Sequence, residues 1–199
     1  MISSYLKKMT IAIETDSKIK DSRDFLIALI KVLQKEASVK VYDSVKGQLA
    51  TALVCNSCLK VEEEKIEDFD VLDLPIEGNK ITLDECLKKV VTKIDVDKNC
   101  QFCQFNKATK MSEIIKFPEF LILALNRKGN SSQQVLCTEK LQINNYSRRF
   151  TGSYTLFGLI LYSGSLGNTG QYYAIVKSKD QWARISDETI QIVDINEYL

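Results

Sequence analysis

Between Asp21 and Ala37 the apolar residues Phe25, Leu26, Leu29, Ile30 and Leu33 recur at a spacing that gathers them on one face of a helix. Asp21 or Ser22 stands where an N-cap belongs. Such a stripe needs a partner surface, and Phe25, Leu29 and Leu33 are expected to supply the contact. A second helix is predicted over Leu83 to Val91, because Thr82-Leu83-Asp84-Glu85 has the form of a capping box. Strand-like stretches run from Gln48 to Val54, ending against Cys55, and from Phe69 to Ile76, closed by Pro75 and the turn Glu77-Gly78-Asn79. Further along, Phe120 to Leu125 and Tyr154 to Tyr162 are apolar runs of strand length. Tyr172 to Val176, Trp182 to Ile185 and Ile190 to Val193 are short and β-favouring. The acidic Glu62, Glu63 and Glu64 read as a solvated strand edge or turn. Asn130-Ser131-Ser132 and the stretch Ser163 to Gly170 read as loops.

Helices come first and strands then follow one another without helices between them. That order predicts an α+β fold around a mostly antiparallel sheet. The strands from Phe120 to Val193 are expected in one such sheet, with Tyr154 to Leu161 central and buried, since an edge position would expose an apolar run. No repeat or Pro/Ser-rich linker divides the chain, so residues 1–199 read as a single domain.

Composition narrows the chemistry. Lys+Arg number 27 against 26 Asp+Glu, a formal charge of +1, which gives no electrostatic reason to expect a nucleic-acid or anionic-membrane partner. Arg148-Arg149 is too small a basic pair to change that. The chain holds no histidine, so it cannot form a Ser-His or Cys-His nucleophile pair or any imidazole metal site on its own. No apolar segment is long enough for a signal peptide or a membrane span. The expectation is an intracellular protein, in cytoplasm or nucleus, whose thiols stay reduced.

There are six cysteines. Cys55-Asn56-Ser57-Cys58 and Cys100-Gln101-Phe102-Cys103 are two C-x2-C pairs. Two residues between thiols let both sulfurs reach one tetrahedral ion from a single turn, so the two pairs predict a saturated, structural zinc site of Cys55, Cys58, Cys100 and Cys103. The alternative is that the pairs are incidental or redox-active. The 41 residues between them exceed a simple zinc ribbon, so the metal would clip together the ends of a long excursion. Cys86 falls inside the second predicted helix and reads as a buried thiol. Cys137 receives no role.

The ordered motifs resemble the ubiquitin-specific proteases, the papain-like deubiquitinases. Asp21-Ser22-Arg23-Asp24-Phe25-Leu26 is similar to that family's Q-D-A-x-E-F-L helix, and the cysteine pairs sit where its zinc-binding fingers have them. Phe69, Leu72, Leu74 and Ile76 resemble its F-x-x-L-x-L-x-I strand, and Leu83-Asp84-Glu85-Cys86-Leu87 its L-x-x-C-L helix. Phe117-Pro118, Leu121, Leu123, Leu125 and Arg127 resemble L-P-x-x-L-x-I-x-L-K-R-F. Tyr154 to Ile160 resembles Y-x-L-x-A-V-I, Gly170 to Ala174 resembles G-H-Y-x-A, and Trp182 with Ile185 and Asp187 resembles W-x-x-F-D/N-D.

The resemblance implies zinc-binding fingers at about 48–110 and a palm at about 115–199, a platform that grips ubiquitin and leads its tail to a Cys-His-Asp/Asn triad. The family's catalytic cysteine lies well upstream of the Q-D-A helix. No cysteine precedes Asp21, so the N-terminal lobe that carries it is expected to be missing. The histidine of G-H-Y is Gln171, the residue that would orient it is Ser186 beside Asp187, and the histidine of H-x-G is Tyr162. A neutral amide cannot take a thiol proton. Gln171 and Ser186 therefore mark degenerate catalytic positions, and the expected function is a catalytically inactive zinc-binding domain that binds ubiquitin or a ubiquitin-pathway complex. The alternatives are a structural subunit with no ubiquitin binding, whose bare apolar face a partner covers, and a part of an active cysteine deubiquitinase.

Overall fold

The computed structural model describes residues 21–36, 43–127, 133–147, 150–164 and 170–199. The expectations for the first twenty residues, for Ala37, for Asn130-Ser131-Ser132, for Arg148-Arg149 and for most of the loop before Gly170 lie outside the described residues.

The first described element is helix α1 (Ser22–Glu36). Asp21 caps it, accepting the backbone N–H of Asp24 at 2.9 Å. The buried side chain of α1 is Ile30, flanked by the half-buried Leu26, Leu29 and Leu33, whereas Phe25 is exposed. The expected stripe is thus rotated by a fraction of a turn, to the i, i+3, i+4, i+7 set that begins at Leu26. Arg23 fixes the helix to the body through a two-pronged contact with the carboxylate of Asp73.

Four strands build the first sheet: β1 (Gly47–Cys55), β2 (Val61–Phe69), β5 (Lys93–Asp97) and β6 (Lys107–Lys116), in the order β2-β1-β6-β5 and antiparallel throughout. The acidic Glu62 to Glu64 lie on its edge strand β2. Gly47 pairs with Phe69, and a Cβ there would come within 2.2 Å of the phenyl ring, so any side chain at 47 would have to displace that ring. Between β2 and β5 the chain forms β3 (Leu72–Pro75), β4 (Lys80–Thr82) and helix α2 (Leu83–Val90). The capping box is present: the Thr82 hydroxyl accepts the Glu85 N–H, and the Glu85 carboxylate accepts the Thr82 N–H at 2.7 Å.

The expected single sheet from Phe120 to Val193 is instead divided. Strand β7 (Leu123–Asn126) pairs parallel with β3, placing Leu123 and Leu125 beside Leu72 and Leu74. Strand β8 (Gln134–Leu136) pairs parallel with β4. These short strands are recruited from far apart in sequence onto one core, with alternate residues such as Leu72, Leu74 and Ile81 turned toward it. Leu72, Leu74, Ile81, Cys86, Leu87, Ile114 and Tyr146 form that core. Strands β9 (Lys140–Gln142) and β10 (Ser153–Thr155) make a separate antiparallel pair.

The last sheet is a four-stranded antiparallel meander of β11 (Gly158–Ser163), β12 (Gln171–Ser178), β13 (Gln181–Ser186) and β14 (Thr189–Val193). Tyr154 to Leu161 is therefore not one central buried strand. It breaks at Leu156-Phe157 into β10 and β11, and β11 lies on a sheet edge. Alternation explains how an apolar run comes to lie there: Leu159 and Leu161 turn inward against Ile175, Trp182 and Ile195, while Ile160 turns outward and is 57% exposed. The fold is α+β with mostly antiparallel sheets, as the order of elements predicts.

Candidate functional site

Two places carry chemistry-bearing residues from the sequence analysis. The first is the distal end of the β2-β1-β6-β5 sheet. Strand β1 ends at Cys55, paired with Ala108 at the start of β6. The Cys55-Cys58 turn closes the β1–β2 hairpin and the Cys100-Cys103 turn closes the β5–β6 hairpin. Because β1 and β6 are antiparallel neighbours, both turns emerge at the same end of the sheet. The register of two central strands thus closes the long excursion between the cysteine pairs.

The two turns have matching backbones. The Leu59 N–H donates to the Cys55 carbonyl at 3.1 Å, and the Gln104 N–H to the Cys100 carbonyl at 2.9 Å. Leu59 and Gln104, each directly after the second cysteine, sit in the left-handed region at φ 59° and 60°. The Ser57 N–H points at the Cys55 sulfur and the Phe102 N–H at the Cys100 sulfur, each at 3.4 Å. Strained conformations for two non-glycine residues at equivalent positions persist only where the surroundings fix them.

The four sulfurs converge. Cys55 Sγ lies 3.6 Å from Cys103 Sγ, Cys58 Sγ lies 3.7 Å from Cys100 Sγ, and all four lie within 4.8 Å of one another. A disulfide would need about 2.05 Å, so these are free thiols. A tetrahedral zinc with bonds of about 2.3 Å would space its sulfurs about 3.8 Å apart. The donor set fits such an ion. Backbone N–H groups of Cys58 and Ser57 hold the Cys55 thiol down to about 7, while burial pushes the Cys100 thiol up.

The second place is the end of the β11-β12-β13-β14 sheet. Gln171 opens β12, and its side-chain amide donates to the Asp187 carboxylate in the β13–β14 turn. Asp187 takes the left-handed region at φ 49°. Ser186 ends β13 opposite Thr189. Tyr162 and Tyr172 are paired across β11 and β12 with ring centroids 4.9 Å apart. A Cβ on Gly170 would meet the Tyr162 hydroxyl at 2.1 Å, so a side chain there would require that exposed ring to swing aside. Arg184, which the sequence analysis passed over, lies on the same face as Ser186, with its guanidinium 4.4 Å above the Tyr173 ring. Its signal was its spacing two residues before Ser186 on an alternating strand.

The remaining cysteines are elsewhere. Cys86 is fully buried in α2, and Cys137 is half-buried after β8. Burial pushes both thiols above their ordinary value.

These observations meet a family likeness. The profile of the ubiquitin carboxyl-terminal hydrolase family matches residues 2–198, and the chain belongs to that family. Among curated relatives it is 24% identical over 195 residues to probable ubiquitin carboxyl-terminal hydrolase 8 of Schizosaccharomyces pombe, covering 90% of this chain and 42% of that one. It is 27% identical over 187 residues to human ubiquitin carboxyl-terminal hydrolase 21, covering 84% of this chain and 33% of that protein. Among solved structures, the SAGA DUB module of Ubp8, Sgf11, Sus1 and Sgf73 bound to monoubiquitin contains a chain that superposes with a TM-score of 0.83 at 22% identity, over 99% of this chain and 51% of that one. The same module bound to ubiquitin aldehyde gives 0.82 at 21% identity. The chain spans between a third and about half of the length of these relatives.

Proposed function

We propose that the protein is a zinc-stabilised, non-catalytic member of its family that binds ubiquitin, or a protein of the ubiquitin pathway, without cleaving it. The observation that carries this reading is the contrast between a complete set of four convergent sulfurs and a β12–β13 end without a proton acceptor of the required kind. Cys55, Cys58, Cys100 and Cys103 would hold zinc as four thiolates, and the ion would tie the two hairpins together without an open position for water. At the other end Gln171 offers an amide with no titratable pair at physiological pH. No histidine exists in the chain to replace it, and the two remaining thiols are held protonated by burial. A zinc-stabilised scaffold can keep its binding surface while lacking catalytic chemistry, since the chemistry resides in a few side chains. The solved relative carries ubiquitin in its complex, which makes ubiquitin the first ligand to test here. An intracellular location agrees with the reduced cysteines; among the described residues no helix is long and apolar enough to cross a membrane.

A second reading has its own support. The outer face of the β11-β12-β13-β14 sheet carries a row of Ile160, Ala174, Ile185 and Ile190 across all four strands, with Ile190 69% and Ile192 65% exposed. An apolar stripe of that kind suits a subunit packed against a partner. Titration of fluorescent ubiquitin with the zinc-loaded protein separates the two. Saturable binding without release of free ubiquitin from a conjugate supports the first reading. Absence of binding selects the second, and turnover refutes both.

A further inference from the structure

Strand β14 is a free edge of the last sheet: among the described residues β13 is its one strand partner. The Asp187-Glu188 turn joins Ser186 to Thr189, and residues flanking so short a turn exchange hydrogen bonds. Alternation then makes Arg184–Gln191 and Trp182–Val193 the other bonded pairs, so the N–H and C=O groups of Ile190 and Ile192 point away from β13. Their side chains are 69% and 65% exposed. Such an edge is ordinarily guarded by charge, proline or a bulge along the strand. The edge strand β2 of the first sheet is guarded in that way, by Glu62, Glu63, Glu64, Lys65, Glu67 and Asp68. Strand β14, Thr189-Ile190-Gln191-Ile192-Val193, has no charge, no proline and no register shift.

Its charge lies at the ends instead. From Ile185 to Leu199 the chain carries Asp187, Glu188, Asp194 and Glu197 and no lysine or arginine. Among the described residues none of these four forms an ion pair. This placement decides the occupant. A second copy, pairing its β14 fully antiparallel with this one, would centre on Gln191 and set Glu188 opposite Asp194 at both ends. Like charges directly opposite are destabilising. The other edge of the sheet, β11, has no charged residue at its described ends, so nothing there selects a partner by sign.

We propose that β14 is a docking edge for an extended, basic-flanked segment of another protein, received as a fifth strand. The incoming strand carries β-branched residues opposite Ile190 and Ile192, and lysine or arginine opposite Glu188 and Asp194. Main-chain hydrogen bonds to Ile190 and Ile192 supply the attraction, and the flanking cations supply the selectivity. The edge serves in this way whether or not the chain binds ubiquitin, and its test uses no ubiquitin.

The full chain, zinc-loaded and ¹⁵N-labelled, is titrated with the acetylated and amidated peptides KTVTVTK and ETVTVTE, which read alike in both directions and so assume no strand polarity. The lysine peptide is expected to shift the Ile190 and Ile192 amide resonances saturably and to slow their hydrogen exchange. The glutamate peptide is expected to bind at least about fivefold more weakly. Glu188→Lys, a change in an exposed turn, should weaken the lysine peptide and strengthen the glutamate one, an exchange of preference that a loss of folding cannot produce. Ile192→Pro removes an N–H that points to solvent and should abolish binding of both peptides. Absence of saturable shifts at millimolar peptide, equal binding of the two peptides, shifts centred away from β14, or a preference unchanged by Glu188→Lys would each overturn the proposal. So would concentration-dependent dimerisation of the chain alone that Ile192→Pro abolishes, which would make a second copy the occupant.

Discussion

The cysteine end of the first sheet and the glutamine end of the last sheet are both places where antiparallel register brings side chains of separate turns together. At the first, register delivers a full donor set, with the same backbone hydrogen bonds and the same left-handed residue after each second cysteine. At the second, register delivers Gln171, Asp187 and Ser186 to one corner, joined by an amide-to-carboxylate hydrogen bond. The scaffolding is equally complete in the two. They differ in what the side chains can do with a proton. Four thiols can shed protons to a divalent ion, whereas an amide and a hydroxyl cannot exchange one near neutral pH. A fold therefore constrains where groups meet far more strictly than which groups they are.

The sharpest way to break that comparison is to remove one sulfur. Cys100→Ser should take metal content from one zinc per chain to near zero. It should also strip hydrogen-exchange protection from the amides of β1 and β6 at their cysteine end, while β12 in the other core stays protected. Structural zinc contributes on the order of 10 kcal/mol or more in small metal-folded modules, so no other substitution should match it. Cys86→Ala and Cys137→Ala should leave metal content unchanged. The pH dependence has a fixed sign. Zinc displaces protons from the thiols, and burial makes the Cys100 proton harder to remove. Bound metal is thus favoured as pH rises and lost as pH falls. Metal assays across an acid titration check this, and retention of zinc by the Cys100→Ser protein would sink the assignment.

The two faces of the last sheet allow a finer comparison. Ile175 is fully buried against Trp182 and Ile195, whereas Ile160, one strand away on the opposite face, is 57% exposed. Ile175→Ala is expected to cost about 2–5 kcal/mol in urea unfolding, through lost burial and the cavity left behind. Ile160→Ala should fall within about 0.5 kcal/mol. A large cost at Ile160 in the isolated protein would mean that the outer face is already covered.

What the sequence revealed of this fold depended on how local the signal was. The capping box at Thr82 and the two cysteine knuckles are defined within four residues, and they were legible. The short β-favouring runs that become β12 to β14 were legible for the same reason. The parallel pairs β3–β7 and β4–β8 were not, because nothing local in Leu72 to Pro75 names a partner some fifty residues away. Strand β6 was missed for a different reason. Its lysine-rich KATKMSEIIK shows no clean apolar alternation, yet it lies at the centre of the first sheet, where Ala108 and Ile114 are fully buried and its lysines reach solvent. The outward rotation of Phe25 and Ile160 was hidden because an apolar residue in a periodic run does not announce which neighbour will be present to cover it.

A smaller effect tests whether the α2 cap acts locally. Thr82→Ala removes the hydroxyl that accepts the Glu85 N–H and should cost about 1 kcal/mol. The Thr82 backbone N–H and hydroxyl hold the Glu85 carboxyl below its usual range. A depressed folded value means that Glu85 supports the fold above the ordinary carboxylate range and loses that role as pH falls through the depressed value. The gap between wild type and a Glu85→Gln variant should therefore narrow on acidification, as read from thermal midpoints; a gap that widens contradicts the capping geometry.

The smallest expected effect is the most informative about the second end. Gln171→His places an imidazole where the family's histidine belongs, beside Asp187, whose carboxylate accepts the Gln171 amide and could accept an imidazole N–H in its place. Two of three catalytic elements would then stand together. Turnover of a ubiquitin conjugate by this chain should nevertheless remain at background. A base is useful only to a nucleophile within hydrogen-bond reach of it. Of the six thiols, four are committed to one another at the far end of another sheet, and Cys86 and Cys137 are kept protonated by burial near the first core. The variant should still show its new imidazole titrating above the usual histidine range, because Asp187 favours the charged form. An NMR titration of the ring protons checks that the histidine has reached Asp187, and a conjugate-cleavage assay on the same sample checks the silence. Cleavage that appears with Gln171→His and disappears on blocking thiols would show that a cysteine of this chain can reach the corner, and would move the protein from the non-catalytic reading to the catalytic one.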